Sequence, residues 1–334
     1  MKAGEDKLVQ GIAKALAFKS SGRLALGVGD DAALLTPRSG FEILLTCDWF
    51  LEGRHFLPSL HPPDSVGWKC LARAVSDVAA MGGRPTCFLL SLALPHNVIS
   101  NDRGWSDRWL NQFLRGLRRA AQRFDCVLAG GDTTQARQIL INVAVIGEVP
   151  AGRAVRRSGA KPGDKIFVSG TLGQAELGLQ ILRGGARISA KKDPALRKHL
   201  YPEPRLALGY WLARRKLPSS MMDISDGLSS DLPRLCAASA VGARIQASRI
   251  PSPRMPQTAS KKRFDALHLA LNGGDDYELL FTVSERNAAR IPRSFQGISL
   301  TEIGEITRER RLMIVERGKP PKLLVPRGWD PFRE

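Results

Sequence analysis

Aspartates recur along this sequence at places where a short apolar run meets glycine or serine. The first such stretch, GVGDDAALL, carries Asp30 and Asp31. Comparable stretches carry Asp48, Asp77, Asp132, Asp223, Asp226, Asp275 and Asp276. A strand can present such a side chain at its tip, and small neighbours let a ligand approach closely. Several carboxylates that converge need cations to stay ionised together, so the pattern predicts a cation-binding pocket.

The ligand type in this pocket indicates which cation it would hold. Oxygen-only ligands favour Mg²⁺, which usually holds substrate phosphates as well. The aspartates therefore predict a nucleotide bound through magnesium. Taken singly, each aspartate is better explained as a helix N-cap or a turn residue, and Asp226, just before Gly227, is the plainest candidate for a cap.

The sequence lacks the motifs of several common enzyme classes. Residues 27–32 formally fit a dinucleotide-binding G-x-G-x-x-A pattern, but Asp30 and Asp31 would repel a pyrophosphate unless metal lay between them. There is no Walker A motif, no H-E-x-x-H, no zinc-type Cys/His spacing and no G-x-S-x-G. These absences argue against a zinc hydrolase and a serine hydrolase.

Three further residues could contact a phosphate or a flat ring. His55, flanked by charged and aromatic residues, could bind a substrate phosphate or transfer a proton. Arg157, in the basic segment RAVRRSGAKPGD, could clamp phosphate oxygens, and Trp329 could stack on a ligand ring. The alternatives are a structural histidine, a surface arginine and a tryptophan that anchors the chain end.

The first half of the chain alternates predicted helices and strands. Leu8, Ile12 and Leu16 are spaced by four residues and predict a helix over 5–18. Strands are predicted over 24–35, 41–47, 86–94, 126–129 and 139–149. Further helices are predicted over 64–81, with Asp64 as N-cap, and over 102–124.

A change of texture to Gly, Arg, Ser and Pro over 150–163 predicts a domain boundary, which separates 1–150 from 151–334. Beyond it, strands are predicted at 165–168, 221–224 and 279–283. Helices are predicted at 174–182, 203–215 and 228–240, and loops at 184–200 and 248–263. Strands and helices in both halves predict an α/β (α+β) fold.

The 334-residue chain has a formal net charge of +18, and the excess is concentrated in its second half. Residues 1–150 carry 17 Lys+Arg and 14 Asp+Glu, whereas residues 151–334 carry 33 and 18. A basic second half could receive a polyanionic substrate. A solvated basic surface explains the dispersed charges as well, because no block of like charge is present.

Cysteine usage and the chain ends predict the compartment. The five cysteines lie in apolar or small-residue surroundings without a C-x-x-C pair, which predicts buried free thiols in a reducing compartment. The N-terminus does not resemble a signal peptide, and no run reaches 18 apolar residues. We expect a soluble cytoplasmic protein without a membrane span.

Seven motifs, in this order, resemble those of the thiamine-monophosphate kinase family. They are GVGDDAALL, TCDWFLEGRHF, AVSDVAAMGGRP, GGDTT, RRSGAKPGD, DISDGLSSDL and GGDDYELLFT. The resemblance covers about residues 27–282, with a looser match near Trp329. The family belongs to a wider group of ATP-dependent enzymes that includes aminoimidazole ribonucleotide synthetase, selenophosphate synthetase and a hydrogenase-maturation protein.

The resemblance implies a two-domain aminoimidazole ribonucleotide synthetase-like fold, with mixed sheets flanked by helices. It implies an N-terminal domain, 1–150, that binds ATP and several Mg²⁺ ions and forms a homodimer, and a C-terminal domain, 151–334, that completes the active-site cleft. The implied reaction is ATP-dependent phosphorylation of thiamine monophosphate to thiamine diphosphate by direct in-line transfer. Neither nucleic acid nor a membrane is an implied partner.

Residue roles are implied by position within the matched motifs. The implied magnesium ligands are Asp31, Thr46, Cys47, Asp48, Asp77, Asp132, Asp223 and Asp226. The implied ATP contacts are Gly131, Asp132, Arg157 and Ser225, and the implied substrate contacts are His55, Asp275 and Trp329. The implied catalytic residues are Asp48, Asp132 and Arg157.

Two residues depart from the family pattern. Cys47 stands where Thr or Ser is usual, and because a neutral thiol is a poor Mg²⁺ ligand, that contact would come from the backbone carbonyl or be lost. Asp275 stands where Glu is usual, so its carboxylate is one methylene shorter.

Alternative functions remain open beside the kinase hypothesis. The absence of a Cys before Cys47 and of a C-terminal Cys argues against selenophosphate synthesis and hydrogenase maturation. The residues do not distinguish the kinase from an enzyme of aminoimidazole ribonucleotide synthesis. A hypothesis from a different class is a non-catalytic anion or nucleic-acid binder that uses the basic second half.

Overall fold

The structure, a computed structural model, describes residues 5–18, 23–99, 108–185, 190, 192–254 and 265–332. It divides into two compact units, Met1–Val78 with Gly83–Gly152, and Ala79–Gly82 with Arg153–Glu334. Within the described residues, no helix combines the length and the apolar character that crossing a bilayer would need.

The first unit is built on a four-stranded sheet with helices packed against it. Its elements among the described residues are α1 (Glu5–Leu16), β1 (Leu24–Leu26), β2 (Leu34–Leu35), β3 (Phe41–Leu51), α2 (Pro63–Ala80), β4 (Arg84–Leu94), α3 (His96–Ile99), α4 (Arg108–Phe124), β5 (Val127–Gln135) and β6 (Leu140–Pro150). The strand order is β3-β6-β4-β5. β4 and β5 run parallel and the other neighbours antiparallel, so the expected mixed sheet is confirmed.

The helix predicted at the start of the chain is confirmed as α1, and Leu8, Ile12 and Leu16 are buried. The single strand predicted over 24–35 is wrong, because β1 and β2 are separate strands that pair antiparallel. The chain turns between them around Gly29, whose φ of +127° suits glycine alone. The polar GVGDD segment therefore forms a turn rather than extending a strand.

Three of the predicted aspartates lie inside regular elements, so the expectation of strand-tip carboxylates is wrong for them. Asp48 lies within β3, Asp77 within α2 and Asp132 within β5. The predicted N-cap role of Asp64 is also wrong, because α2 already begins at Pro63. The Asp64 carboxylate instead accepts a hydrogen bond from Nη2 of Arg119 at 2.6 Å. Residues 102–107 of the predicted helix 102–124 lie outside the described residues.

The prediction of buried free thiols is confirmed for four cysteines and wrong for one. Cys70, Cys87, Cys126 and Cys236 are buried and free, whereas Cys47 is exposed. Burial raises the pKa of Cys87 to about 11 and that of Cys236 to about 12. These buried thiols therefore stay protonated at neutral pH.

The second unit contains a larger mixed sheet. Its elements among the described residues are β7 (Lys165–Ser169), α5 (Gln174–Arg183), α6 (Pro194–Leu200), α7 (Leu206–Arg214), β8 (Pro218–Ile224), α8 (Leu228–Ser239), β9 (Gly242–Gln246), a 3₁₀ turn (Ala247–Arg249), α9 (Ala266–Asn272), β10 (Glu278–Val283), α10 (Glu285–Ala288), β11 (Ser294–Phe295), β12 (Ile298–Thr307), β13 (Leu312–Val315) and β14 (Lys322–Leu323). The strand order is β14-β13-β9-β12-β7-β10-β8, and β11 pairs with β12. β9 and β13 run parallel, whereas the other pairs are antiparallel.

Apolar residues cover both faces of this second sheet. One face packs against α8 through Val168, Met222, Leu232 and Leu280. The other face packs against α7 through Phe167, Leu212, Met221 and Phe281. Every residue of β10 is buried as a result, and each large apolar side chain in such a position contributes about 1.5–3 kcal/mol.

Most elements predicted for the second half are present, with ends shifted by at most three residues. The loop predicted over 184–200 is wrong at its end, where α6 forms. Oδ1 of Asp193 accepts hydrogen bonds from the amides of Ala195 and Leu196 at 2.8 and 3.0 Å, which caps this helix. Residues 186–189 and 191, and residues 255–263 of the other predicted loop, lie outside the described residues.

Candidate active site

A cavity of about 750 Å³ in the first unit brings several predicted site residues together. Asp30, Asp31, Gly131 and Asp132 line it. Its apolar lining consists of Val9, Ile12, Leu24, Leu35, Leu89, Leu128 and Ile146, among others. The cavity therefore joins an apolar wall to three carboxylates, which suits a ligand with a flat ring and a cation-bound polyanionic part.

Gly131 allows β5 to pass close to β4 beside Asp132. A Cβ atom at position 131 would lie 1.9 Å from the carbonyl oxygen of Leu90, whereas one at position 130 would lie 3.4 Å from the nearest Leu89 side-chain atom. Glycine is therefore the residue that fits at position 131. Since Ser91 lies opposite Asp132 in the register, this close approach determines where the Asp132 carboxylate leaves the sheet.

The two faces of β3 carry different chemistry, because side chains along a strand alternate between faces. Thr46, Asp48 and Phe50 lie on the face that contacts α2. Cys47 and Trp49 lie on the other face, where both are exposed.

Thr46 and Asp48 each meet a residue of α2. The Thr46 hydroxyl donates a hydrogen bond to Oδ2 of Asp77 at 2.5 Å. Nη2 of Arg73 lies 3.8 Å from Oδ1 of Asp48, and the guanidinium carbon lies 5.4 Å from the centre of the Phe50 ring. Arg73 and Asp77 are four residues apart on a helix and share one face. Two predicted metal ligands, Thr46 and Asp77, are therefore in direct contact.

The Cys47 thiol lies apart from this group. Its Sγ is 3.2 Å from Oδ1 and 3.1 Å from Nδ2 of Asn142, on the face of β3 opposite to Thr46 and Asp48. The thiol therefore points away from Thr46 and Asp48, which are predicted to bind the same metal ions. The main chain is the part of Cys47 that can bind those ions together with them.

His55 lies in the turn that follows β3. The amide of Leu51 donates a hydrogen bond to Nδ1 of His55 at 3.0 Å. Nδ1 is thus the acceptor nitrogen, so the neutral ring carries its proton on Nε2. The ring centre lies 5.7 Å from that of Phe50, which places His55 next to the end of the strand that carries Asp48.

The predicted metal ligands come together in small sets. Asp31 and Asp132 line one cavity, and Thr46 contacts Asp77 near Asp48. Within the described ranges, no three His, Cys, Asp or Glu side chains are grouped so that they could hold a metal ion. The donors are carboxylates and a hydroxyl, and such hard oxygen ligands fit Mg²⁺ better than a soft metal. The ligand assignments therefore stay predictions.

In the second unit, three separate segments meet at the end of β8. The amide of Asp275 donates a hydrogen bond to the carbonyl oxygen of Ser225 at 2.7 Å, and the amide of Trp329 donates one to that of Asp226 at 3.0 Å. Asp223 lies buried within β8, directly before this junction. These hydrogen-bonded segments therefore carry five predicted site residues close together. They are the ATP contact Ser225, the metal ligands Asp223 and Asp226, and the substrate contacts Asp275 and Trp329.

The loop before β10 has an unusual backbone conformation. Asp275 and Tyr277 have φ values of +65° and +50°, which residues other than glycine rarely adopt. The Tyr277 hydroxyl donates a hydrogen bond to Oδ1 of Asp275 at 2.7 Å. Between them, the buried Asp276 carboxylate accepts from the amides of Gly173 and Ala175 at the start of α5. Burial raises the pKa of Asp276 to about 7.

Asp226 does not cap α8, so the prediction that this residue is a helix N-cap is wrong. The N-cap is Gly227, and Oδ2 of Asp226 accepts a hydrogen bond from Nη1 of Arg234 at 2.5 Å. The buried Asp231 instead binds the loop, since its Oδ2 accepts from the amides of Ser225 and Asp226 at 3.1 Å each. Burial, with the Asp226 charge, raises the pKa of Asp231 to about 7.

A buried ion cluster anchors the start of β10, three residues after Asp275. The Glu278 carboxylate accepts hydrogen bonds from Lys198, from Nε of Arg205 at 2.7 Å and from the Ser169 hydroxyl at 2.6 Å. Burial alone would raise the pKa of Glu278, but the charges of Lys198 and Arg205 outweigh it and lower the pKa to about 2. The cluster therefore fixes one end of the loop that carries Asp275.

Arg157 lies exposed in the segment before β7. Its carbonyl oxygen accepts a hydrogen bond from the Ser239 hydroxyl at 3.3 Å, and the amides of Gly159 and Ala160 donate to the same Ser239 oxygen at 3.2 and 3.1 Å. The end of α8 therefore holds the backbone of this basic segment and leaves the Arg157 side chain at the surface.

Sequence reasoning missed four polar residues that touch the predicted site, namely Arg73, Asp231, Arg234 and Tyr277. The spacing of four between Arg73 and Asp77 within a predicted helix was a usable signal. The spacing of three between Asp231 and Arg234 within the predicted helix 228–240 was a comparable signal. Tyr277 carried none, because its contact depends on the backbone conformation of a loop.

Known protein families match the sequence of both units. The family model for the AIR synthase related protein, N-terminal domain, matches residues 29–149, and that for the C-terminal domain matches residues 161–316. The thiamine-monophosphate kinase of Escherichia coli (strain K12) is 38% identical over 312 residues, which is 92% of this chain and 92% of the relative.

Two solved structures are similar over almost the whole chain. The thiamine-monophosphate kinase from Stenotrophomonas maltophilia K279a superposes with a TM-score of 0.79 at 35% identity, covering 94% of this chain and 97% of that one. AaThiL complexed with AMPPCP and TMP superposes with a TM-score of 0.75 at 32% identity, covering 99% of each chain.

Proposed function

The chain belongs to the thiamine-monophosphate kinase family of AIR synthase related proteins, and we propose that it phosphorylates thiamine monophosphate with ATP by direct in-line transfer. It is an ATP-dependent kinase with two small-molecule substrates. The observation that carries this conclusion is the match to the family over 92% of the chain. The two family-model matches, over 29–149 and 161–316, contain every predicted site residue except Arg157 and Trp329.

The reaction demands positioning more than acid–base catalysis. An ionised phosphate oxygen of thiamine monophosphate attacks the γ-phosphorus of ATP, a new P–O–P linkage forms, and the bond to the β-phosphate oxygen breaks to release ADP. Because the acceptor oxygen is already ionised, no proton has to be removed from it. The main barrier is the repulsion between two anionic phosphates, which fixed positive charge and close alignment overcome.

The first unit supplies the ATP side of the reaction. We assign the triphosphate to the carboxylate end of the cavity at Asp31, Gly131 and Asp132, and the adenine to its apolar wall. Magnesium ions, when bound, would neutralise the phosphates, and the residues of the first unit that would hold them are Asp31, Thr46, the main chain of Cys47, Asp48, Asp77 and Asp132. Asp223 and Asp226 are the predicted magnesium ligands of the second unit. This assignment is supported by the hard oxygen donors and by the Thr46–Asp77 contact.

The predicted contacts to the acceptor are His55 in the first unit and Asp275 and Trp329 in the second. Asp275 carries the negative charge that suits the cationic thiazolium ring of thiamine, and Tyr277 holds that carboxylate in place. Trp329 offers an aromatic face to a flat ring. His55 and Arg157 would neutralise residual phosphate charge, and Ser225 would contact ATP. The cytoplasmic location expected from the sequence stays a prediction.

We also infer that the chain is a homodimer through the exposed face of the first sheet. Four apolar side chains lie exposed on that face, with exposed fractions of 42% for Ile43, 77% for Leu45, 55% for Trp49 and 39% for Leu89. The strand register places these side chains in neighbouring rows across the sheet, so they form one patch. β3 is an edge strand of the described sheet. A contiguous apolar patch at a sheet edge favours association with a second copy.

Product identification tests the proposed function directly. The purified chain is incubated with ATP, Mg²⁺ and thiamine monophosphate, and the products are separated and identified by mass. We expect thiamine diphosphate and ADP in equal amounts, and neither when ATP, Mg²⁺ or the acceptor is left out. Formation of no thiamine diphosphate under any of these conditions would contradict the assignment.

A further inference from the structure

Arg234 places a fixed positive charge on Asp226, a predicted magnesium ligand of the second unit. Its Nη1 donates hydrogen bonds to Oδ2 of Asp226 at 2.5 Å and to Oδ1 of Asp231 at 2.6 Å. The Asp231 side chain is fully buried, whereas the arginine is about half exposed. The guanidinium therefore binds Asp226 and a buried carboxylate while part of the arginine stays in contact with solvent.

The Asp231 carboxylate holds the arginine in this position. Asp231 uses its second oxygen to accept hydrogen bonds from the amides of Ser225 and Asp226 at 3.1 Å each. Arg234 follows Asp231 by three residues on the same helix, so both lie on one face of α8. The same Asp231 carboxylate therefore binds the Ser225–Asp226 backbone and the arginine, so the positive charge has a defined position beside the loop.

A guanidinium and a divalent cation compete for the same carboxylate oxygen. Arginine has no lone pair to offer a metal, and it stays charged at any relevant pH. A cation that binds Asp226 must displace the guanidinium from Oδ2 or accept a positive charge within a few ångströms, and both cost binding free energy.

We propose that Arg234 is the built-in counter-ion of Asp226, which a divalent cation must displace, and that it thereby sets the divalent-cation affinity of this position. The proposal rests on the proposed function, because it takes Asp226 as a magnesium ligand. In the metal-free protein Arg234 offsets part of the charge of Asp226 and Asp231, so the loop keeps its contacts to Asp275 and Trp329 before any metal arrives.

Calorimetric titration with Mn²⁺ on the full chain, without nucleotide, tests this idea. The variants are Arg234→Gln, which removes the charge, Arg234→Lys, which keeps it, and Asp226→Asn, which removes the ligand. We expect Arg234→Gln to bind Mn²⁺ roughly tenfold more tightly at the step that Asp226→Asn abolishes. Arg234→Lys is expected to stay near the wild-type affinity.

Thermal unfolding in EDTA monitors the fold of each variant. Arg234→Gln is expected to lower the melting temperature, because the buried Asp231 loses its charge partner. Should that variant fail to fold, the double variant Asp231→Asn/Arg234→Gln replaces it, since a neutral side chain at position 231 no longer needs the arginine. The same gain in Mn²⁺ affinity is expected there.

The titrations separate two kinds of failure. If Asp226→Asn weakens Mn²⁺ binding while the charge-removing variants leave the affinity unchanged, Arg234 is not the counter-ion and the proposal is overturned, with the metal assignment intact. If Asp226→Asn has no effect on Mn²⁺ binding, Asp226 is not a metal ligand, which overturns that assignment and this proposal together.

Discussion

The phenolic hydroxyl of Tyr277 donates a hydrogen bond to Oδ1 of Asp275 at 2.7 Å, although only one residue separates them. The contact is possible because both residues have positive φ values, which curls the backbone so that their side chains meet. Tyr277 is buried, and its amide donates to the carbonyl oxygen of Ile224 at 2.9 Å. The tyrosine therefore supports the Asp275 carboxylate from a buried and hydrogen-bonded position.

Tyr277→Phe is expected to weaken use of thiamine monophosphate selectively. A hydrogen bond to a charged group contributes about 1.5–3 kcal/mol, so KM for thiamine monophosphate should rise roughly tenfold or more while KM for ATP stays unchanged. Steady-state kinetics with each substrate varied in turn measures the two constants. Tyr210→Phe, on α7, is the matched control, and an equal loss with both substrates would show that Tyr277 supports the fold rather than Asp275.

Asp48→Asn and Asp132→Asn are expected to lower turnover by orders of magnitude, because each removes a charge that should hold cation and phosphate together. A coupled ADP-release assay measures turnover, and circular dichroism checks the fold. Asp125→Asn is the control, since this exposed aspartate has a φ of +50° that asparagine also tolerates. Near-normal turnover in both site variants would refute the proposed mechanism.

Gly131→Ala is expected to destabilise the first unit by about 1–3 kcal/mol, because its Cβ would overlap the Leu90 carbonyl oxygen. The strands must separate to relieve this overlap, which would also shift Asp132 and weaken ATP binding. Gly130→Ala is the adjacent control, since its Cβ would meet only ordinary van der Waals contact. Urea unfolding of the two variants gives the comparison, and equal stabilities would contradict the close approach of β5 to β4 at Gly131.

Glu278→Gln is expected to cost about 3–5 kcal/mol at neutral pH, because Lys198 and Arg205 would be left without their buried partner. Denaturant unfolding measures this loss. Glu305→Gln, which alters the partly exposed pair with Lys165, is the control and should cost less than about 1 kcal/mol.

The same cluster predicts a pH dependence of stability. The pKa of Glu278 falls from an ordinary 4.5 to about 2 in the folded chain. Its contribution is therefore fully present above pH 4.5 and is lost as the pH falls from 4.5 towards 2. The unfolding free energy of the wild type should decrease more steeply over this range than that of Glu278→Gln, and parallel curves would show that the carboxylate is not held ionised by its partners.

Leu45→Glu is expected to convert a dimer into monomers, because it places a charge in the centre of the apolar patch on the first sheet. Leu323→Glu is the control, since Leu323 is also largely exposed but lies in the second unit. Light scattering after gel filtration gives the mass of each variant. A monomeric wild type, or a dimer that Leu45→Glu leaves intact, would contradict the proposed interface.

Features that depend on neighbouring residues could be predicted from the sequence. The four-residue spacing of Leu8, Ile12 and Leu16 predicted α1, because helical periodicity is local information. The α6 helix was not predicted, although Asp193-Pro194 is a helix start signal, because the basic and polar composition of the surrounding segment is typical of a loop.

Features that depend on distant segments could not be predicted in this way. Glu278 meets Lys198 across 80 residues, and Trp329 reaches Asp226 only through the path of the whole second unit. The motif order placed Asp48 and Asp77 in one site, and the predicted helix over 64–81 already contained Asp77, but neither showed that β3 continues through Asp48 to Leu51. Contact between the two elements requires the tertiary fold.

The alternation of side chains along β3 limits how the gene can change. Loss or gain of a single codon between positions 43 and 50 would reverse the facing of the strand residues on one side of the change, so that Thr46 or Asp48 would turn outward and Leu45 or Trp49 inward. Catalysis and self-association would then disappear together. Insertions and deletions in descendants of this gene should therefore accumulate at the turns around Gly40 and Gly53, whose positive φ values mark the two ends of the strand.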